Sequence, residues 1–155
     1  MQGSTLEQLR QRLRSANAEA RRQAAEQLGQ LKDERAVEAL IEALTREARN
    51  WPGDWQVKDT VASALITLED ARVVPALVEI LQHDQDLFVQ ELAAETLMRI
   101  EGVPLEVLVL VLQAGGGVVG MGGRGHAAAV LGEMGDARAV EPLIAALQGN
   151  DTNGL

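Results

Sequence analysis

Residues 36–44 read AVEALIEAL, and the pattern returns as VVPALVEIL at 73–81, PLEVLVLVL at 104–112 and AVEPLIAAL at 139–147. Leu40, Leu77, Leu108 and Leu143 fall in one column, and Leu44, Leu81, Leu112 and Leu147 in a second. An earlier copy, TLEQLRQRL at 5–13, places Leu9 and Leu13 in the same columns. The steps from Leu9 are 31, 37, 31 and 35 residues, so the period is 31, with six extra residues in the second step and four in the fourth. A fixed period of this length is the signature of a stacked repeat. Apolar residues at i, i+3, i+4 and i+7 within each copy make the element a helix rather than a strand.

A second pattern precedes each of the last four copies: RRQAAEQLGQLKDERAV (21–37), KDTVASALITLEDARVV (58–74), QELAAETLMRIEGVPL (90–105) and RGHAAAVLGEMGDARAV (124–140). Small residues recur where Ala24, Ala25, Ala93, Ala94, Ala127 and Ala128 stand, with Leu28, Leu65, Leu97 and Leu131 one turn on. Each unit is therefore two helices, and the small residues on the first let a neighbour approach closely. Asp33, Asp70 and Asp136 stand two residues before Arg35, Arg72 and Arg138. There a carboxylate caps the free amides of the second helix and the arginine pairs along the stack. Asn17, Asp54 and Asp86 align as N-caps of the first helices.

AAEQLGQLKDERAVEALIEAL and AAAVLGEMGDARAVEPLIAAL resemble HEAT-like repeats of the short, phycobilisome-lyase type, and the likeness covers roughly residues 5–150. It implies an all-α fold, a right-handed α-solenoid whose first helices form the convex side and whose second helices line the concave side. Members of such families mostly bind proteins, some act in bilin attachment, and others are di-iron hydroxylases or DNA glycosylases. The expected organisation is a single domain over 1–155, with a capping helix at 5–16 and helix pairs at about 17–47, 54–84, 86–114 and 121–149.

Composition narrows the chemistry. The 155 residues contain no cysteine and two histidines, which removes disulfides, thiolate nucleophiles and cysteine zinc sites. Fourteen basic against 23 acidic side chains give a net charge of −9, which repels a nucleic-acid backbone. Residues 1–35 hold seven Arg/Lys and five Asp/Glu, leaving a strongly acidic remainder. The polar start MQGSTLEQLRQRLR and the lack of any apolar window of about 18 residues point to a cytoplasmic protein without a membrane span. The paired His-Glu steps of the di-iron members do not occur, and no serine stands in a G-x-S-x-G elbow. The mixed cluster His83, Asp84 and Asp86 lies where one repeat turns into the next. No catalytic, cofactor-binding or metal-ligating residue is assigned, and no cofactor is expected.

What the sequence offers instead is surface. Glu7, Glu38, Glu106 and Glu141 share one column of the second helices, and Glu42 and Glu79 share another four residues on. The result is a carboxylate stripe suited to a basic partner segment. The first insertion, TREARNWPGDWQ at 45–56, holds both tryptophans. Trp51 lies in the loop as a candidate interface anchor, whereas Trp55 follows the cap Asp54 and is expected to fold back over the core edge. The second insertion, AGGGVVGMGGRGH at 114–126, contains a G-x-G-x-x-G spacing at Gly120, Gly122 and Gly125. That fingerprint needs a strand before it, and Leu105, Leu108, Val109 and Leu112 occupy the helical columns of Val37, Leu40, Ile41 and Leu44. The glycines predict a helix that starts near Gly125 or His126. Beside them, PLEVLVLVL is apolar nearly all round through Val107, Leu110 and Val111, a patch to be covered or bound, with Val118, Met121 and Arg124 following.

The function these features support is a non-enzymatic protein-binding scaffold. Its predicted contacts are Glu38, Glu42, Glu79, Glu106, Leu110, Trp51, Val118, Met121 and Arg124, and its partner is a protein with a basic or apolar segment. A homodimer through the apolar patch or the last helix is a further expectation. The alternative is a bilin lyase-like subunit or chaperone that handles a tetrapyrrole.

Overall fold

The computed structural model describes residues 2–50, 53–113 and 121–151. Among them stand α1 (Gln2–Arg12), α2 (Ala18–Leu31), α3 (Arg35–Arg49), α4 (Trp55–Leu68), α5 (Val73–His83), α6 (Leu87–Arg99), α7 (Leu105–Gln113), α8 (Met121–Met134) and α9 (Val140–Asp151). The described residues contain no strand, and a 3-10 turn at Ala137–Ala139 leads into α9. No helix among them is long and apolar enough to cross a membrane.

Among the described residues, six of the nine helix starts have a local cause in a capping side chain. Asn17 accepts the Ala20 amide at 3.2 Å, Asp54 those of Gln56 and Val57 at 2.9 and 3.3 Å, and Asp86 those of Phe88 and Val89 at 2.9 and 3.4 Å. These bonds satisfy amides that have no partner inside the helix. Asp33, Asp70 and Asp136 do the same in the turns before α3, α5 and α9, each accepting the amide two residues on at 2.9 Å. The chain turns from the first helix to the second through left-handed backbone at Lys32, Glu69, Gly102 and Gly135. At Lys32 and Glu69 no glycine relieves that conformation, which costs about 1 kcal/mol each. Lys32 offsets it by donating to the Thr67 carbonyl and sitting 3.6 Å from the Glu69 carboxylate.

The described residues divide into two compact units, residues 1–77 and 78–155, and the division falls within α5. In the first unit α2 packs chiefly on α4, α1 packs on α2, and α3 packs on α4 and α2. Its core holds Leu9, Leu28, Leu40, Leu44, Val57, Val61 and Leu65, all at most 4% exposed. Gly29 marks the closest approach: a Cβ there would lie 2.9 Å from Ala64 Cα, so the small-residue pattern sets the helix spacing. In the second unit α8 packs on α6 and α7, and α9 on α7. Val89, Ala93, Leu97, Leu108, Val111, Leu112, Ala127 and Leu131 form its core. Thr96, fully buried there, satisfies its hydroxyl by donating to the Leu92 carbonyl at 2.7 Å.

One expectation changes and one is resolved. Helix α8 starts at Met121, four residues before Gly125, and so takes in Gly122 and Gly123. First-turn residues contribute little to the hydrogen-bond ladder, so glycine's helix penalty counts for less there than in an interior. Helix α7 is a helix, as its repeat register requires, yet Val111 is fully buried and Val107 and Leu110 are half-buried. Of the two outcomes expected for this apolar patch, covered or bound, much of it is covered within the chain.

Candidate functional site

The six glutamates of the two columns, Glu7, Glu38, Glu42, Glu79, Glu106 and Glu141, are all exposed. Helical spacing explains this: each stands off the face carrying the leucine columns, whose members Leu40, Leu77 and Leu108 are at most 3% exposed. Their charges are not equally available. Glu42 accepts from Arg14 at 2.5 Å and lies 3.7 Å from Arg46. Glu106 meets Arg138 at 3.5 Å. No ion pair among the described residues reaches Glu38 or Glu79.

In the first unit the columns border a groove of about 290 Å³ between α1 and α3, lined by Glu7, Arg10, Leu13, Arg14, Glu42 and Arg46 among others. Three arginines and two glutamates make it a mixed rather than an acidic surface. Arg46 also donates to the Leu13 carbonyl at 2.6 Å, which caps the end of α1.

Behind this groove lies a tie that the repeat pattern alone does not show. Arg21 on α2 donates through Nε to Glu47 on α3 at 2.7 Å, and through Nη1 to the Ser15 and Ala16 carbonyls at 2.9 and 3.2 Å. The Glu47 side chain is 4% exposed and that of Arg21 14%. One guanidinium thus fixes α3 and the α1–α2 turn to α2. The available signal was a carboxylate at position i+3 from Leu44 on a buried face.

Three arginines follow the Asp-x-Arg turns, and they behave differently. Arg35 folds back on Asp33 at 2.7 Å, and Arg72 reaches Glu34 of the preceding repeat at 2.6 Å. Arg138 does both, meeting Asp136 at 2.8 Å and Glu106 at 3.5 Å. The guanidinium of Arg35, helped by its amide, pulls the Asp33 carboxyl from 3.8 to about 2, and Arg138 lowers that of Asp136 in the same way. The Asp84 and Asp86 carboxylates beside His83 serve the turn: Asp84 accepts the Asp86 amide at 2.9 Å, and Asp86 caps α6. No cluster of three or more His, Asp or Glu suited to a metal occurs among the described residues.

Trp55 reverses its expectation and stands 71% exposed. Val57, Val61, Ala64, Leu65 and Leu68 define the buried face of α4, and at 100° per residue Trp55 points roughly 140° from its centre. That angle was available from the sequence. Leu110 is half-buried on α7, and Met121 and Arg124 lie in the first turns of α8. Trp51 and Val118 lie outside the described residues.

The profile of HEAT repeats matches residues 6–98, more than half of the chain. The chain belongs to the HEAT-repeat family. Residues 124–149 of this HEAT-repeat protein match a second profile, the PBS lyase HEAT-like repeat. Helix pairs repeating in register, with no strand among the described residues, place the fold in the all-α solenoid class. A bilin biosynthesis protein of Mastigocladus laminosus, PecE, is 43% identical to it over 76 residues, 49% of this chain. The match spans 26% of the length of that relative.

Proposed function

We propose that this HEAT-repeat chain is a non-enzymatic binding module that takes a protein partner on its second helices and first insertion, in the cytoplasm. The observation that carries the reading is the exposure of the carboxylate columns, with Glu38 in the first unit and Glu79 in the second reached by no ion pair among the described residues. An unmatched carboxylate on a rigid helix attracts a basic side chain, and each unit offers one. Glu42 and Glu106 already hold Arg14 and Arg138 and contribute less. Trp55, a rigid aromatic on the first turn of α4, supplies the apolar anchor that such an interface needs. Leu110, Trp51, Val118, Met121 and Arg124 extend the same reading.

The test is affinity capture from the native host with the wild-type chain, a Glu38→Lys/Glu79→Lys variant and a Trp55→Ala variant. Capture of a partner held by these residues falls at least about tenfold in each variant, as expected for loss of about 1.4 kcal/mol. Gln27→Lys, on the exposed side of α2, leaves it in place. Undiminished capture of every protein in both variants overturns the proposal.

A second reading is favoured by the 43% identity to a bilin biosynthesis protein and by the PBS lyase-like repeat at 124–149. In that reading the bound partner is a bilin-carrying protein, and the chain is a lyase-like subunit or chaperone. A change in visible absorbance when bilin and its acceptor protein are mixed with the chain supports it, and an unchanged spectrum sinks it.

A further inference from the structure

The groove between α1 and α3 is walled by two helical stripes. Glu7, Arg10, Gln11 and Arg14 stand at i, i+3, i+4 and i+7 along α1 and the turn that follows it, facing Glu42 and Arg46 on α3. Its far end is bridged, because Arg14 donates to Glu42 and Arg46 holds the Leu13 carbonyl. Its near end is not. The side chains of Arg10 and Gln11 make no hydrogen bond or ion pair among the described residues, and Glu7, three residues before Arg10, does not pair with it. Arg12 on the same turn, by contrast, donates to Gln23 at 3.1 Å. Among the arginines and lysines whose side chains are described, Arg10 alone has no such partner, and it is half-buried. A guanidinium that has lost part of its water without gaining an acceptor leaves strong donors unused.

We propose that the open end of this groove receives an acidic side chain of a protein partner, its carboxylate held by Arg10. Three features select that chemistry. Arg10, Arg14 and Arg46 against Glu7 and Glu42 leave one positive charge in the lining, which a single carboxylate balances and a phosphate dianion exceeds. Glu42 shows the arrangement already, its carboxylate standing within reach of both Arg14 and Arg46. The volume of about 290 Å³ lies at the bottom of the range for small-molecule sites, and charged rather than apolar walls suit the end of a side chain better than a free ligand. Gln11 beside Arg10 adds a neutral amide donor. The inference rests on the reading of the chain as a protein-binding module and adds a second sign to its partner. Glu38, one turn before Glu42 on α3, takes a basic residue and Arg10 an acidic one, so the partner segment carries both charges and lies in one orientation.

The experiment selects a phage-displayed random-peptide library on the full chain and, in parallel, on Arg10→Glu and Glu38→Lys variants. Peptides enriched on the wild-type chain carry a fixed Asp or Glu position that is lost on Arg10→Glu. Fluorescence anisotropy of one such peptide then shows at least about a tenfold weaker affinity for Arg10→Gln, as expected for a lost charge-assisted hydrogen bond. Replacing the peptide's own acidic residue by its amide has the same effect, and the two changes together add little. Arg12→Gln, on the same turn, leaves the affinity unchanged, which separates a site at Arg10 from the general field at the end of α1. Arg10 has no bond within the described residues to lose, and the circular dichroism and melting of its variants match the wild type. An absence of enriched peptides, an acidic position that survives Arg10→Glu, or an equal loss in Arg12→Gln overturns the proposal. A basic position lost on Glu38→Lys with no acidic position beside it also overturns it while leaving the partner reading standing, so the two fail separately.

Discussion

Val37, Leu40 and Leu44 of α3 are at most 5% exposed, whereas Val140 and Leu147 of α9, in the columns of Val37 and Leu44, are 52% and 70% exposed and Leu143 is half-buried. The two helices share their leucine columns and the aspartate turn that precedes each. What differs is the covering. Helix α3 packs on α4 and α2, whereas α9 packs chiefly on α7. A repeat column therefore specifies which face of a helix is apolar, and the neighbours decide how much that face contributes to stability.

The sharpest way to break this comparison is to truncate one column at both ends. Leu44→Ala removes a side chain that is 1% exposed and leaves a cavity, at a cost of about 2–5 kcal/mol. Leu147→Ala, at 70% exposure, changes stability by no more than about 0.5 kcal/mol. Urea midpoints of the full chain measure both. Equal shifts would show that α9 is covered as α3 is and would remove the contrast.

A somewhat smaller effect separates the ion pairs of the two regions. Glu47→Ala leaves the Arg21 guanidinium, 14% exposed, without its carboxylate. Breaking a pair this deeply placed costs about 3 kcal/mol. Glu106→Ala breaks the 3.5 Å contact with Arg138, where both side chains are at least 67% exposed, and costs less than about 1 kcal/mol. The double variant Arg21→Met/Glu47→Leu recovers most of the loss, since it leaves no buried charge behind. Thermal unfolding monitored by circular dichroism reads all three. A Glu47→Ala variant as stable as Glu106→Ala contradicts the assignment of Arg21 as the tie between α2, α3 and the α1–α2 turn.

The features legible in the sequence are those written within a few residues. The leucine columns give the helices and the register that makes α7 a helix despite its strand-like composition. The caps Asn17, Asp54 and Asp86 and the three Asp-x-Arg turns each depend on a side chain two or three residues from the amide it accepts. Less legible are interactions that join distant residues. Arg14 reaches Glu42 across 28 positions and Arg21 reaches Glu47 across 26, so no local spacing announces that one carboxylate of the stripe is held or which arginine meets the buried one. The exposure of α9 is hidden for the same reason, since it is set by which helix lies alongside. Trp55 is a different case: its angle to the buried face of α4 was in the sequence, and treating tryptophan as a core residue obscured it.

The smallest expected effect comes from the turns, where α3 and α9 are alike. Arg35 and Arg138 depress the carboxyls of Asp33 and Asp136, the first to about 2. A carboxyl depressed in the folded state stabilises it above the ordinary aspartate value and loses that contribution as pH falls through the folded value. For Asp33 the loss runs from about pH 4 down to about pH 2. Both turns are open to solvent, which screens the charges and keeps the effect slight. Asp33→Asn and Asp136→Asn therefore each flatten the acid limb of urea midpoints measured between about pH 5 and pH 2, in the same direction. The shared direction is the informative part. Each aspartate accepts its amide and its arginine within two residues, so an acid limb left unchanged by Asp136→Asn alone would mean that Glu106, which also meets Arg138, outweighs the turn.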